Sequence, residues 1–203
     1  MQQIILLFLC ISTLTLSAQT EAKWELKSQK EGITIYSREL PNSNLKELKM
    51  TSTAKSSTAA FIKILEVIQT NPDWLDGDFE VKRIKMNAEG IPINHTKIDF
   101  PFPVSDRDLV SSAQVITDEQ TGVVTVRSEA VSGILKDQSG YVRMPSFLSR
   151  WILTPQANGM LDIEYFLQSD PGGSIPAWVT NMLSSVGPFR TFKAIKENLR
   201  DYQ

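Results

Sequence analysis

The residues able to do chemistry in this chain are few and scattered. His95 is the only histidine among 203 residues, and Cys10 is the only cysteine. A zinc site ordinarily needs several His, Cys or carboxylate ligands converging on one point. A Ser-His-Asp arrangement would have to run through His95, and no nucleophile elbow accompanies it. No glycine-rich phosphate loop follows a strand. Acid–base chemistry in a cavity would need a carboxylate or imidazole facing it, and Asp99, His95 and Glu129 are the candidates. His95 itself reads as an exposed histidine on a strand. The expectation is no catalytic residue, no metal and no cofactor.

Charged side chains could instead hold a polar group of a ligand. Arg127 and Arg143 each interrupt strands whose neighbours are mostly uncharged. Turned inward, either would require a counter-charge or a phosphate. Turned outward, both would simply face water, and alternation alone leaves the register open. Arg107-Asp108 opens a strand after a proline-rich loop and reads as a structural clamp, Asp108 accepting backbone N–H bonds and Arg107 pairing with a carboxylate. The net charge is −2. No basic stripe stands out, which argues against a nucleic-acid partner. Lys82, Arg83 and Lys85 are balanced by Asp76, Asp78 and Glu80 and read as a solvated face.

The elements that must position these residues are mostly strands. Gly32–Arg38 alternates apolar and polar side chains, as a half-buried strand does. Pro41-Asn42-Ser43-Asn44 is turn chemistry, and Leu45–Ala54 returns. Further strands are expected at Phe79–Met86, Ile93–Phe100, Leu109–Thr117, Val123–Ala130, Val142–Thr154 and Met160–Gln168. Short glycine-bearing turns between several of them imply an antiparallel meander. Tyr165 shares a face with Ile163 and Leu167, a pocket wall with a polar tip. A helix is expected from Thr58 to about Gln69, capped by Ser56-Ser57, with Phe61, Ile64, Leu65 and Ile68 on one face. It ends before Asn71-Pro72. A short turn after it plants Trp74.

A long C-terminal helix is expected from Ser174, with Pro176 in its first turn, where a missing N–H costs nothing. It follows Asp170-Pro171-Gly172-Gly173 directly. Trp178, Val179, Met182, Leu183, Val186, Phe189 and Phe192 form its apolar stripe, in which Met182 is the flexible, adaptable member. Gly187-Pro188 interrupts it, a kink or a hinge. The stripe either lines a cavity as a lid or fills a core.

The first eighteen residues stand apart. Ile4–Leu16 is nearly continuous apolar sequence, with no charged side chain before Glu21. It ends in Leu16-Ser17-Ala18, the pattern of a secretory signal peptide cleaved after Ala18; no Lys or Arg precedes the apolar run, so an uncleaved anchor is the alternative. Cleavage would remove Cys10 and leave a mature chain without a thiol, one suited to an oxidising compartment.

Three blocks carry a resemblance. They are Trp24 with Gly32-Ile33-Thr34-Ile35-Tyr36-Ser37-Arg38, then Phe100-Pro101-Phe102-Pro103-Val104-Ser105-Asp106-Arg107-Asp108-Leu109-Val110, then Asp170-Pro171-Gly172-Gly173-Ser174-Ile175-Pro176-Ala177-Trp178. In order and spacing the chain resembles the START family of lipid-transfer domains, nearest its phosphatidylcholine-transfer subgroup. The resemblance implies an α+β helix-grip fold, a curved antiparallel sheet wrapped around a long C-terminal helix and enclosing an apolar cavity. It also implies one bound lipid or hydrophobic small molecule and transient membrane contact. Two of the family's headgroup devices are not matched. Trp74 fits the family's tryptophan, but Asn71 stands where the phosphatidylcholine binder has an arginine. Ala113 stands near the pocket arginine of sterol-binding members.

The expectation is therefore one domain over residues 21–203, exported, monomeric, binding a ligand through the C-terminal stripe, Tyr165, Arg127, Arg143 and Trp74. The alternatives are a helix-grip enzyme of cyclase or hydrolase type and a ligand sensor.

Overall fold

The computed structural model describes residues 22–41, 43, 45–70, 79–176 and 186–202. The strands are β1 Glu25–Lys30, β2 Ile33–Glu39, β3 Lys46–Lys55, β4 Phe79–Met86, β5 Pro92–Ile98, β6 Asp106–Thr117, β7 Val124–Ala130, β8 Tyr141–Arg143, β9 Ser146–Pro155 and β10 Met160–Asp170. Helix α1 spans Thr58–Thr70 and α2 spans Gly187–Asn198, followed by a tight turn over Leu199–Tyr202. All the strands join one sheet, ordered β1-β2-β3-β10-β9-β7-β6-β5-β4. Every pairing along that path is antiparallel; β8 alone runs parallel, beside β6. Two meanders, β1–β3 and β4–β10, thus become one sheet through the β3–β10 pairing.

Register explains where the core sits. Ile35, Met50, Tyr165, Trp151 and Val126 lie opposite one another across β2, β3, β10, β9 and β7. Directly opposed residues share a face, so this row is the spine of the inner face. Helix α1 lays Ala60, Phe61, Ile64 and Ile68 on it, and α2 adds Phe189, Phe192 and Ile195. Trp151 is the hub, with its ring centroid 5.1 Å from Phe61, 5.3 Å from Phe192 and 4.1 Å from Tyr165. Each such side chain buried contributes about 1.5–3 kcal/mol. The Ser57 hydroxyl accepts the Ala60 N–H at 3.1 Å and caps α1, as expected.

On the outer face Trp24 meets Phe166 edge-on at 6.0 Å, and the Arg38 guanidinium lies 4.6 Å over the Trp24 ring. Arg38 also grips the buried Glu47 carboxylate at 2.7 Å. The first sequence block is therefore one packed cluster.

Three elements differ from expectation. Strand β1 carries almost no apolar alternation, and its one large apolar side chain, Leu26, is exposed. It forms because β2 offers a free edge, which no pattern in β1 announces. The single strand expected over 142–154 is two, divided at Met144-Pro145, because Pro145 has no N–H to give to a ladder. Ser174–Pro176 lies outside regular structure, so no helix begins at Ser174 with Pro176 in its first turn. Residues 177–185 lie outside the described residues. Pro188 occupies the first turn of α2 instead, while Val186 before it already has helical dihedrals. The missing N–H is harmless there.

Candidate functional site

Beyond the Trp151–Tyr165 row the inner face changes character. Leu48, Leu167, Ser149, Ser128 and Ala113 form the next row across β3, β10, β9, β7 and β6. Ser111 and Ala130 oppose each other one step further. Five small side chains thus lie side by side on three strands. Protein interiors are normally filled to crystal-like density. A contiguous floor of Ser and Ala beside Trp151 and Tyr165 is where the strands contribute little side-chain volume to the inner face. Burial pushes the Tyr165 hydroxyl far above its ordinary pKa, so it stays a neutral phenol, within reach of the Ser149 hydroxyl.

The end of β10 is clamped beside this floor. Arg107 is 2% exposed and its guanidinium is spent on carbonyls: Nε donates to Pro171 O and Nη2 to Gly172 O, each at 3.0 Å, and Nη1 donates to Ser105 O. Its plane lies 4.8 Å from the Phe100 ring. Burial lowers its pKa, but an arginine stays charged. Asp106 accepts the Phe100 N–H at 2.9 Å, and Asp170 accepts that of Gly172 at 2.8 Å. Gly172 has φ +66°, and a Cβ there would lie 3.0 Å from Pro145 and 3.2 Å from the Arg143 carbonyl. The second and third sequence blocks are therefore two halves of one clamp, which ties the Phe100–Ser105 loop to the chain entering the C-terminal segment.

The Arg107-Asp108 clamp exists, but with partners opposite in kind to those expected. Asp108 is fully buried and binds side chains rather than backbone N–H groups. Its carboxylate receives Arg143 Nε at 2.9 Å, Arg143 Nη2 at 2.7 Å and His95 Nε2 at 2.8 Å. An ionised carboxylate only accepts, so the His95 proton is on Nε2. His95 is 8% exposed, not the exposed histidine of the sequence reading. Its strand has both faces covered, so alternation did not reveal its burial. Arg143 also donates to Leu135 O at 3.1 Å and Lys136 O at 3.3 Å, which pins the β7–β8 loop.

This cluster makes stability pH-dependent. Burial alone would push the Asp108 carboxyl up. The hydrogen bonds from Arg143 and His95 more than offset this, and the group titrates below its ordinary 3.8. A depressed folded pKa gives stability that is complete above the unfolded value and is lost as pH falls through the folded one. Urea unfolding is expected to show a level free energy above about pH 4 and a decline below it. Asp108→Asn should lose on the order of 3 kcal/mol at neutral pH and decline less steeply in acid. Equal slopes for both proteins would refute the assignment.

The other expected site residues are distributed as follows. Tyr165 is on the inner face, as expected. Phe189 and Phe192 are buried in the cluster that includes α1 and Trp151, with Phe192 against the Trp151 ring. Val186 is half exposed. Arg127 does not face the floor: register turns it outward, where it is exposed and pairs with Glu129 at 2.7 Å. Arg143 is committed to Asp108. Trp74, Trp178, Val179, Met182 and Leu183 lie outside the described residues. Of the acid–base candidates, Asp99 is exposed in a loop, Glu129 is paired outward and His95 is committed to Asp108. Ser111, Ser128, Ser149 and Ala130 were not singled out. Their signal is small residues at alternate strand positions, and it acquires meaning only when several strands are in register.

A cavity of about 540 Å³ opens where α2 meets the β2–β3 end of the sheet. Its lining includes Glu31, Lys55, Lys193, Lys196 and Glu197, so it is not the apolar chamber expected. Lys193 pairs with Glu31 at 2.6 Å, and Lys196 donates to the Gly32 carbonyl at 3.1 Å. These contacts latch α2 to the β1–β2 turn, where a Cβ on Gly32 would come within 2.8 Å of the Lys196 ammonium.

A sheet that holds its C-terminal helix against one face, with a floor of small side chains beside it, defines a helix-grip protein. The START domain model matches residues 12–203, and the chain belongs to the START domain family. It is 28% identical to an uncharacterized protein of Pseudomonas aeruginosa over 176 residues, covering 85% of each chain. It is 23% identical to the phosphatidylcholine transfer protein of Mus musculus over 192 residues, 91% of this chain and 87% of that one. Among solved structures, a STAR-related lipid transfer protein from Xanthomonas axonopodis superposes with a TM-score of 0.75 at 31% identity, covering 87% of this chain and 98% of the other. A family of lipid-transfer domains with this fold supports hydrophobic-ligand binding. The fold also reaches an enzyme, an aromatase/cyclase from Streptomyces, at a TM-score of 0.52 and 12% identity over 77% of this chain and 94% of that one.

Proposed function

We propose that this chain binds one lipid or similar hydrophobic molecule over the inner floor and carries it between membranes as a monomer. The observation that carries this reading is the contiguous row of Ser149, Ser128 and Ala113 beside the bulky Trp151 and Tyr165. Burying apolar ligand surface there contributes about 25 cal/mol per Å². The C-terminal segment gates access. Residues 177–185 contain no charged side chain and include Trp178, Val179, Met182 and Leu183.

Membrane contact in this reading is made by Phe102. It is 94% exposed at the tip of the Pro101–Pro103 loop, the loop that Arg107 ties to Pro171 and Gly172. An aromatic ring held out by a braced loop suits a bilayer interface, where aromatic side chains are favoured.

The test is transfer of a fluorescent lipid between donor and acceptor vesicles. The wild-type chain should exceed spontaneous exchange, and Phe102→Ala should slow transfer about tenfold while leaving the lipid bound per protein unchanged. No acceleration by the wild-type chain would eliminate the carrier role. The chain is also proposed to be exported, with residues 1–18 removed. An exported product whose mass begins at Gln19 would support this, and an intact N-terminus would count against it.

A further inference from the structure

On β5, Asn94 lies opposite Ser111 of β6, which lies opposite Ala130 of β7. The three extend the small-residue floor toward the β4 edge. Asn94 is 6% exposed and Ser111 8%, and neither side chain is hydrogen-bonded to another protein group among the described residues, although their polar atoms are not sealed from solvent as Ser56 Oγ is. A largely buried amide beside a largely buried hydroxyl, on the same sheet face as the small-residue floor and bonded to no protein group, is a polar pair that a ligand could engage.

The charge around this subsite defines what it takes. A buried phosphate or carboxylate demands a cation beside it. Arg107 is spent on carbonyls, Arg143 on Asp108, and Arg127 pairs with Glu129 on the outer face. Residues 71–78 and 177–185 contain no Lys or Arg at all. Arg83 lies opposite Asn94, but on the edge strand and exposed to solvent. An amide both donates and accepts, whereas phosphate oxygens at neutral pH chiefly accept. Resting on the lipid-binding reading above, we propose that Asn94 and Ser111 receive the polar end of an uncharged lipid, a hydroxyl or amide that donates and accepts in turn, rather than a phospholipid headgroup.

The test uses the purified full chain and phosphatidylcholine vesicles that carry a fluorescent diacylglycerol, or fluorescent phosphatidylcholine or phosphatidylglycerol in its place. Wild-type protein should take up the diacylglycerol in preference to both phospholipids. Asn94→Leu should weaken diacylglycerol uptake about tenfold, one hydrogen bond's worth of affinity, without lowering the melting temperature, since it removes an unpaired amide. Ser111→Ala should weaken it less, and Arg83→Gln should leave it unchanged. Preferred uptake of a phospholipid, abolished by Arg83→Gln and indifferent to Asn94→Leu, would overturn this proposal while leaving lipid binding intact. Uptake of none of the three probes would overturn both.

Discussion

Replacing Arg107 with leucine is expected to lower the melting temperature by about 10 °C. Leaving a buried acceptor unsatisfied costs about 1–3 kcal/mol per group, and in a chain of this size each kcal/mol shifts the midpoint by about 2–4 °C. The reason is local. Arg107 is the shared donor for Ser105, Pro171 and Gly172, so its loss strands three carbonyls at once and frees the Phe100–Ser105 loop from the end of β10. Arg107→Lys should recover less than half of the loss, because one ammonium does not reproduce a planar fork of five N–H donors. Calorimetry on the three proteins decides the matter. A midpoint within about 2 °C of wild type for Arg107→Leu would mean that the clamp is idle.

Filling the floor should separate binding from folding. Ser128→Phe places a ring in the middle of the small-residue row, and Ala113→Phe does so one strand over. If the floor is a ligand chamber, each variant keeps or gains thermal stability, and its vesicle-derived lipid load falls at least about tenfold, because the ring excludes the ligand. If side chains already fill that space, the insertion is overpacking. It then costs about 1–3 kcal/mol, and lipid load is unaffected. Melting curves and lipid mass spectrometry on the same samples give opposite signs in the two cases. The outcome bears directly on whether Tyr165 and Trp151 are the wall of a chamber or the margin of a solid core.

Much of the fold was legible in the chain because its signals are local. Period-two alternation placed β2, β3 and β10 within a residue or two, Ser57 capped α1 where a cap was expected, and Gly172 marked a turn that only a residue without a Cβ can make. The three blocks pointed to the START family, and together they form the Trp24–Phe166 cluster and the Arg107 clamp. The edge strand β1 was not legible. Its stability comes from the ladder β2 offers, and its own side chains carry no pattern.

The candidate site was legible only in part, and the misses share one cause. Arg127 and Arg143 were weighed as inward cations, but a strand presents alternate residues to opposite faces, and a slip of one residue exchanges them. Pairing across six strands turned Arg127 toward Glu129, set Arg143 and His95 on Asp108, and aligned Ser149, Ser128, Ala113 and Ser111 into a floor. The sequence by itself determined most of the interior strands, α1, several turns and the family resemblance, since those signals lie within a few residues of one another. Only the tertiary structure decided which face each side chain presents and which buried charges satisfy one another, because both depend on partners brought together from distant strands.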